Sequence, residues 1–254
     1  MAEEIVLHWY PISPFAQKVA FCLNYKNVDY KTVEISPIEP RPLRRPSTRI
    51  IAEIERRFPE PSLYPLTKSG QPTLALCQAL SHWTDNKLFM AFPTQFPLEL
   101  MRTGLDWVTN RGFLKRKHCR LQISTQPLSR CLTHEWMQKH VLELVEHFER
   151  VEQAVNFDRT QEMPQITAEE ALEIAKRSTV AYSVSNPTSC TPALKVGQIV
   201  SVTPLDTGRV PAVGKLLSMT LDEVVLERQC EQTGITAYIH FPVISFTVAP
   251  VPKL

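Results

Sequence analysis

Glycine is scarce in this chain, with 7 in 254 residues, while proline is abundant at 21. Average usage would supply more than twice as many glycines. Four of the seven glycines lie beyond residue 196, where they can serve turns between short strands. The composition therefore predicts a change of architecture toward the C-terminal end.

Several motifs and long apolar runs are also missing. No stretch of about 18 apolar residues occurs, which excludes a predicted transmembrane helix. The sequence lacks GxGxxG, GxxxxGK[ST], GxSxG and HExxH, so dinucleotide, P-loop, α/β-hydrolase and zincin functions have no support. A net charge of +2 favours neither a nucleic acid nor a membrane as partner.

The cysteines form no CxxC pair and no dense framework. This spacing favours free thiols in a reducing compartment, and no signal peptide is evident, so we expect a cytoplasmic protein. The six thiols are Cys22, Cys77, Cys119, Cys131, Cys190 and Cys230.

The segment from Ile5 to Ser36 predicts a β-α-β unit. Residues 5–10 form an apolar run typical of a buried strand, and residues 30–35 form a second strand after a helix-length crossover. Ser13 suits the N-cap of the intervening helix, and Pro14 suits its first position. We expect this helix to end near Asn27.

These residues resemble the thioredoxin-like N-terminal domain of cytosolic glutathione S-transferases. The resemblance covers about residues 4–155 and depends on the order and spacing of several stretches. They are residues 10–19, 28–34, 47–61 and 63–65, with 78–83 resembling the start of the helical domain.

The resemblance implies a function and two site residues. The function would be conjugation of a glutathione thiolate to a small electrophile, with glutathione as co-substrate, no metal and a homodimer as one arrangement. Ser13 would be the catalytic hydroxyl that stabilises the thiolate, with Tyr10 as the alternative. Ser47, at the start of a second helix, would bind the glutamyl end of glutathione.

One interval departs from the family pattern. Residues 37–46 contain four prolines, and ten residues cannot supply two strands of about five residues and a turn. The predicted sheet is therefore truncated, and its cis-proline backbone contact to glutathione is missing. Two other hypotheses stay open on this ground: a non-catalytic scaffold whose β module binds a partner, and a gene product without a stable N-terminal domain.

The predicted fold class is α+β with three parts. They are a truncated thioredoxin-like unit at 1–66, an all-helical domain at 71–156, and a capped helix with a small antiparallel β-barrel or sandwich at 165–254. Helices are predicted at 74–89, 97–108 and 134–155, followed by a polar linker at 156–164. The first of these would bury Leu74, Cys77, Leu80, Trp83, Leu88 and Phe89.

The C-terminal part carries clear local signals. Thr167 and Glu170 have the spacing of a capping box, which predicts a short helix to Ala175. Beyond Gly197 the apolar residues alternate with period two, which predicts five strands near 198–203, 214–219, 223–228, 235–241 and 244–248.

Other candidate sites have simpler interpretations. His118, Cys119, Cys131 and His134 offer zinc ligands but lack common metal-site spacing. His140, Glu143 and His147 suit a solvated helix edge better than a metal site. The basic residues Arg111, Lys115, Arg116, Lys117 and Arg120 lack the stacking aromatic residues expected of a nucleic-acid surface.

Overall fold

Two parallel strands begin the fold. In the computed structural model, β1 (Val6–Trp9) pairs with β2 (Lys31–Glu34), with Leu7 opposite Thr32. The structure describes residues 4–10, 13–35, 47–85, 138–140, 142–156, 158–178, 187–205 and 210–251. Within that part, β1 and β2 form a two-stranded sheet, and the proline-rich interval lies outside it.

Helix α1 (Pro14–Tyr25) connects β1 to β2 in the chain. It ends earlier than predicted, because Asn27 adopts a left-handed conformation with φ of 53°. The N–H of Val28 then donates to the carbonyl of Leu23 at 3.0 Å, which satisfies a free carbonyl at the helix end.

The chain forms two compact units. The first contains Met1–Tyr10, Tyr30–Ile54 and Pro164–Leu254, and the second contains Pro11–Asp29 and Glu55–Met163. The three sequence-based domains stay a prediction.

In the part of the chain that the structure describes, five further helices lie between β2 and the C-terminal sheet. They are α2 (Ser47–Arg57), α3 (Leu74–Trp83), α4 (Leu142–Ala154), α5 (Arg159–Glu162) and α6 (Ala168–Arg177). Among them, none has the length and apolar content that crossing a membrane requires. The predicted helix at 97–108 lies outside the described residues.

Helix α3 corrects the predicted core. Leu74 is 43% exposed, and Leu80 and Trp83 are each 52% exposed. Cys77 is half-buried, while Leu88 and Phe89 lie outside the described residues. The error has a physical origin, because an apolar helix pattern gives the direction of a face but does not show that another element covers it.

Helix α5 corrects the predicted linker. Its short turn is fixed by side chains of the second unit: the Asn24 amide donates to the Thr160 hydroxyl at 2.8 Å, and Arg159 forms an ion pair with Asp29 at 2.7 Å. Asn24, Arg159 and Thr160 are all buried. Long-range polar contacts therefore order a segment whose local sequence looks like a loop.

The predicted capped helix is confirmed as α6. The Thr167 hydroxyl accepts from the N–H of Glu170 at 3.1 Å, and the Glu170 carboxylate accepts from the N–H of Thr167 at 2.8 Å. These reciprocal hydrogen bonds satisfy two N–H groups at the helix start. Ala171 and Ile174 on one face of α6 are buried.

Five antiparallel strands form the C-terminal sheet, as the period-two pattern predicts. They are β3 (Ile199–Pro204), β4 (Ala212–Met219), β5 (Glu223–Gln229), β6 (Thr236–Pro242) and β7 (Phe246–Pro250), in the order β6-β5-β4-β3-β7. Among the described residues, its core contains Leu194, Val200, Val202, Ala212, Leu216, Val224, Leu226, Ile239 and Phe241. The sheet therefore has a hydrophobic core of its own.

In the described residues the sheet is not closed, so the predicted barrel or sandwich is not confirmed. In the described residues β7 pairs with β3, while β6 pairs with β5, so β6 and β7 are the two edges. Residues 243–245 connect these edges, and the rings of Phe241 and Phe246 lie 5.5 Å apart. The edges meet through side chains here, and backbone pairing does not join them.

Candidate functional site

Ser13 forms the N-cap of α1, as predicted. Its backbone is extended, with φ of −75° and ψ of 108°, and its hydroxyl accepts from the N–H of Ala16 at 3.3 Å. Pro14 occupies the first helical position, where no N–H is required. Ser13 is buried, with 6% of its surface exposed.

The described hydrogen bond of the Ser13 hydroxyl uses its oxygen as an acceptor. The oxygen accepts from Ala16, and the hydroxyl proton has no acceptor among the described residues. The first turn of α1 contains no acidic side chain that would offset the positive end of the helix dipole. This arrangement can donate a hydrogen bond to an anionic sulfur or oxygen atom.

Lys18 carries a positive charge that the carboxylate of Asp85 compensates. Its ammonium lies 2.7 and 2.9 Å from the two carboxylate oxygens of Asp85, and 5.8 Å from the ring centroid of Phe15. The Lys18 and Asp85 side chains are 30% and 24% exposed. The helix end, more than the lysine, therefore supplies the positive potential at Ser13.

Ser47 is the first residue of α2 and belongs to the first unit, whereas Ser13 belongs to the second. It is 6% exposed, and its hydroxyl forms no hydrogen bond with another described residue. Ile51 and Ile54 are buried on the same helix, which fixes its orientation within the unit. A helix start without acidic side chains suits an anion such as a carboxylate.

Tyr10 lies directly after β1 and is half-buried. Tyr10 belongs to the first unit. Ser13, the candidate hydroxyl at the start of α1, belongs to the second unit. The roles of Ser13, Ser47 and Tyr10 in binding glutathione stay predictions.

A buried lysine network, which the sequence analysis missed, lies at the other end of α1. The side chain of Lys26 is 0% exposed, and its ammonium lies 2.6 Å from the Glu55 carboxylate. It also donates to the carbonyls of Phe58 and Pro61. Its partners are 29 or more residues away along the chain, so no local sequence motif predicts the network.

Glu55 extends this network into the following loop. Its carboxylate accepts from the Ser62 hydroxyl at 2.7 Å and from the N–H of Leu63 at 3.1 Å. Burial favours the neutral carboxyl, but these hydrogen bonds and the Lys26 ammonium hold the pKa of Glu55 below its usual value. The network fixes the loop after α2 to the end of α1.

The described cysteines are all free thiols. Cys22 and Cys77 are half-buried, and Cys190 and Cys230 are exposed. Burial raises the pKa of Cys22 to about 11. Hydrogen bonds from the Thr233 hydroxyl, and from the N–H groups of Thr233 and Gln232, hold the pKa of Cys230 below its usual value.

This contrast predicts selective alkylation. Because the thiolate is the reactive form, Cys230 should react with iodoacetamide at pH 7.5 at least roughly 100-fold faster than Cys22 in the folded protein. Peptide mass spectrometry over a time course measures both rates, and unfolding in urea should bring them together. Equal rates in the folded protein would contradict the assigned environments.

At the other candidate sites, the described residues do not form a metal-binding geometry. In the described ranges, no group of three or more His, Cys, Asp and Glu side chains converges as a metal site. His140, Glu143 and His147 are exposed on the helical segment around α4. The four zinc candidates from 118 to 134 and the basic cluster from 111 to 120 lie outside the described residues.

Two comparisons show which known proteins the chain is similar to. Residues 7–49, which include Ser13 and Ser47, match the family model for the N-terminal domain of glutathione S-transferases. A GST-like protein from Pseudomonas syringae has a similar solved structure, with a TM-score of 0.63 and 21% identity. The alignment covers 98% of this chain and 100% of that chain, so the shared fold extends through the C-terminal sheet. No curated protein matches the chain.

The chain therefore has the fold of a GST-like protein, with a thioredoxin-like unit, helices and an antiparallel sheet, and its residues 7–49 are similar to the N-terminal domain of glutathione S-transferases. This confirms the family resemblance. The homodimer, the cytoplasmic location and the small electrophile stay predictions.

Proposed function

We propose that this protein conjugates glutathione to small electrophiles, with weak affinity for glutathione. The Ser13 hydroxyl carries the proposal, because its oxygen accepts from the N–H of Ala16 at the start of α1 and its proton has no acceptor among the described residues. Ser47 is the proposed contact of the glutamyl carboxylate. The scaffold hypothesis has no comparable observation in its favour.

The proposed reaction is a nucleophilic substitution. The thiol of glutathione loses its proton to solvent, and the thiolate sulfur forms a bond to an electrophilic carbon. The bond from that carbon to its leaving group breaks, and the leaving group departs with the electron pair. Ser13 lowers the pKa of the thiol by donating a hydrogen bond to the sulfur anion.

Ser13→Ala separates this chemistry from helix capping. Loss of the cap should lower the free energy of unfolding by about 0.5–2 kcal/mol. The hydrogen bond to the thiolate is worth about 1.5–3 kcal/mol. Its loss should raise the pKa of the thiol group of bound glutathione by about 1 to 2. Urea unfolding measures the first effect, and thiolate absorbance against pH measures the second.

Thr167→Ala is the matched control, since Thr167 caps α6 with the same type of hydrogen bond. It should lose a similar free energy of unfolding and leave the glutathione thiol unchanged. The proposed role of Ser13 would be refuted if both variants gave the same thiol pKa and the same rate of conjugation to 1-chloro-2,4-dinitrobenzene.

A further inference from the structure

An ion pair joins α1 to the end of α3 on the helix that Ser13 caps. The ammonium of Lys18 donates to both carboxylate oxygens of Asp85, at 2.7 and 2.9 Å. Asp85 follows Trp83, the last residue of α3, by two positions, and the pair belongs to the second unit together with Ser13. One positive and one negative charge therefore lie beside the first turns of α1.

This pair is close enough to Ser13 for its charges to act there. Lys18 follows Ser13 by five residues, which is about 7.5 Å along the axis of a helix. The Lys18 and Asp85 side chains are 30% and 24% exposed, and Ser13 is buried. Partly buried charges are screened less than exposed ones, so either charge alone would change the stability of an anion at the Ser13 hydroxyl.

Asp85 determines how much of the Lys18 charge such an anion experiences. Opposite charges that lie within hydrogen-bond distance of each other nearly cancel when they act on a third charge farther away. Both described hydrogen bonds of the Lys18 ammonium go to Asp85. Glutathione with an ionised thiol carries two carboxylates and a thiolate against one ammonium group. It would therefore bind more tightly beside an unpaired lysine.

The thiol of Cys22 shows that the charge of Lys18 acts on groups along α1. Cys22 lies four residues after Lys18, and burial raises the pKa of this thiol to about 11. The positive charges of Lys18 and Lys26 act in the opposite direction. Ser13 lies at a similar separation from Lys18 on the other side along the helix, so a thiolate there would be subject to the same charge.

We propose that Asp85 limits the affinity of the Ser13 site for anions by neutralising Lys18, so that removal of the Asp85 charge strengthens anion binding. The inference rests on the proposed function, because glutathione is the anion concerned. It adds a second group, besides Ser13, that sets the affinity of the site. Asp85 does so without contacting the ligand, through the lysine that it pairs with.

A thiol placed at position 13 measures this charge effect without glutathione. In Ser13→Cys, the rate of alkylation by iodoacetamide against pH, followed on the peptide that contains position 13, gives the pKa of that thiol. Adding Asp85→Asn should lower this pKa by about 0.3–0.6, and adding Lys18→Gln should raise it by about as much. Adding both together should restore the pKa of Ser13→Cys alone.

Glu173→Gln is the matched control in the same background. Glu173 pairs with Lys176 on α6, also at 2.7 Å, but the two side chains are 62% and 43% exposed, so water screens their charges. Its loss should leave the pKa at position 13 unchanged. No shift with Asp85→Asn, or shifts of the same sign with Asp85→Asn and Lys18→Gln, would overturn the proposal. Should Lys18→Gln fail to fold, Asp85→Asn, which keeps the shape of the side chain, decides alone.

Calorimetric titration with glutathione tests the consequence for the ligand in the chain that retains Ser13. Asp85→Asn should lower the Kd by roughly two- to fourfold, and Lys18→Gln should raise it. Equal affinity of Asp85→Asn and the unaltered protein would overturn the proposal. If no variant binds glutathione saturably while the thiol at position 13 shifts as expected, the proposed conjugation is refuted and the charge effect of Asp85 is established.

Discussion

Lys26→Met is expected to lower the free energy of unfolding by about 3 kcal/mol. The Lys26 side chain is fully buried, and its ammonium has three partners: the Glu55 carboxylate and the carbonyls of Phe58 and Pro61. Methionine fills a similar volume but leaves these acceptors without their donor. The estimate lies at the lower end of the range for broken buried pairs, because the Glu55 side chain is 21% exposed.

Lys31→Met provides the matched control. Lys31 also pairs with a glutamate at 2.6 Å, but the Lys31 and Glu4 side chains are 34% and 41% exposed. An exposed pair of this kind contributes little, so Lys31→Met should lower the free energy of unfolding much less than Lys26→Met. Urea unfolding of both variants measures the difference. Equal losses of unfolding free energy in the two variants would show that burial does not determine how much the Lys26 network contributes to stability.

Phe241→Ala is expected to cost about 3–5 kcal/mol, since it removes a large side chain from a packed core. Phe241 is 2% exposed in the core of the C-terminal sheet. Its ring lies 5.5 Å from that of Phe246 at an interplanar angle of 57°, where the two edge strands meet. The substitution therefore removes both buried apolar area and an aromatic pair.

Leu221→Ala is the control in the same sheet. Leu221 lies in the turn between β4 and β5 and is 81% exposed, so its loss should change the free energy of unfolding by less than about 0.5 kcal/mol. Thermal and urea unfolding should agree on the order of the two variants. A small effect of Phe241→Ala would contradict the described core.

Local signals in the sequence were enough to predict several elements. Ser13 followed by Pro14 indicates a helix start, and the Thr167–Glu170 spacing indicates another; both caps are present with the expected hydrogen bonds. The five C-terminal strands follow from alternation, because one face of the sheet is buried. These features depend on residues close together in the chain.

Features that depend on distant residues were not predictable in the same way. Lys26 looks like a surface residue after a helix, and only its position next to Glu55 and two carbonyls makes burial favourable. Pro164 looks like the end of a polar linker, yet its carbonyl accepts from the N–H of Thr32 in β2. The exposure of Leu80 on α3 likewise depends on what packs beside it.

The sequence predicted that Ser13 and Ser47 stand at helix starts, and the structure has both of them there. Their roles as site residues stay predictions. The resemblance of a sequence pattern to a known family identifies such positions. It does not give the strength of binding, which depends on how many donors reach the ligand.

Calorimetric titration of the purified protein with glutathione tests the central claim most directly. The starts of two helices contribute about 0.3–1 kcal/mol each at exposed positions, whereas a Kd of 1 mM requires about 4 kcal/mol. Together with the Ser13 hydrogen bond, the account predicts saturable binding with a Kd of about 1 mM or weaker, and further weakening by Ser13→Ala but not by Thr167→Ala. Absence of saturable binding up to about 50 mM, or equal affinity in the two variants, would contradict it.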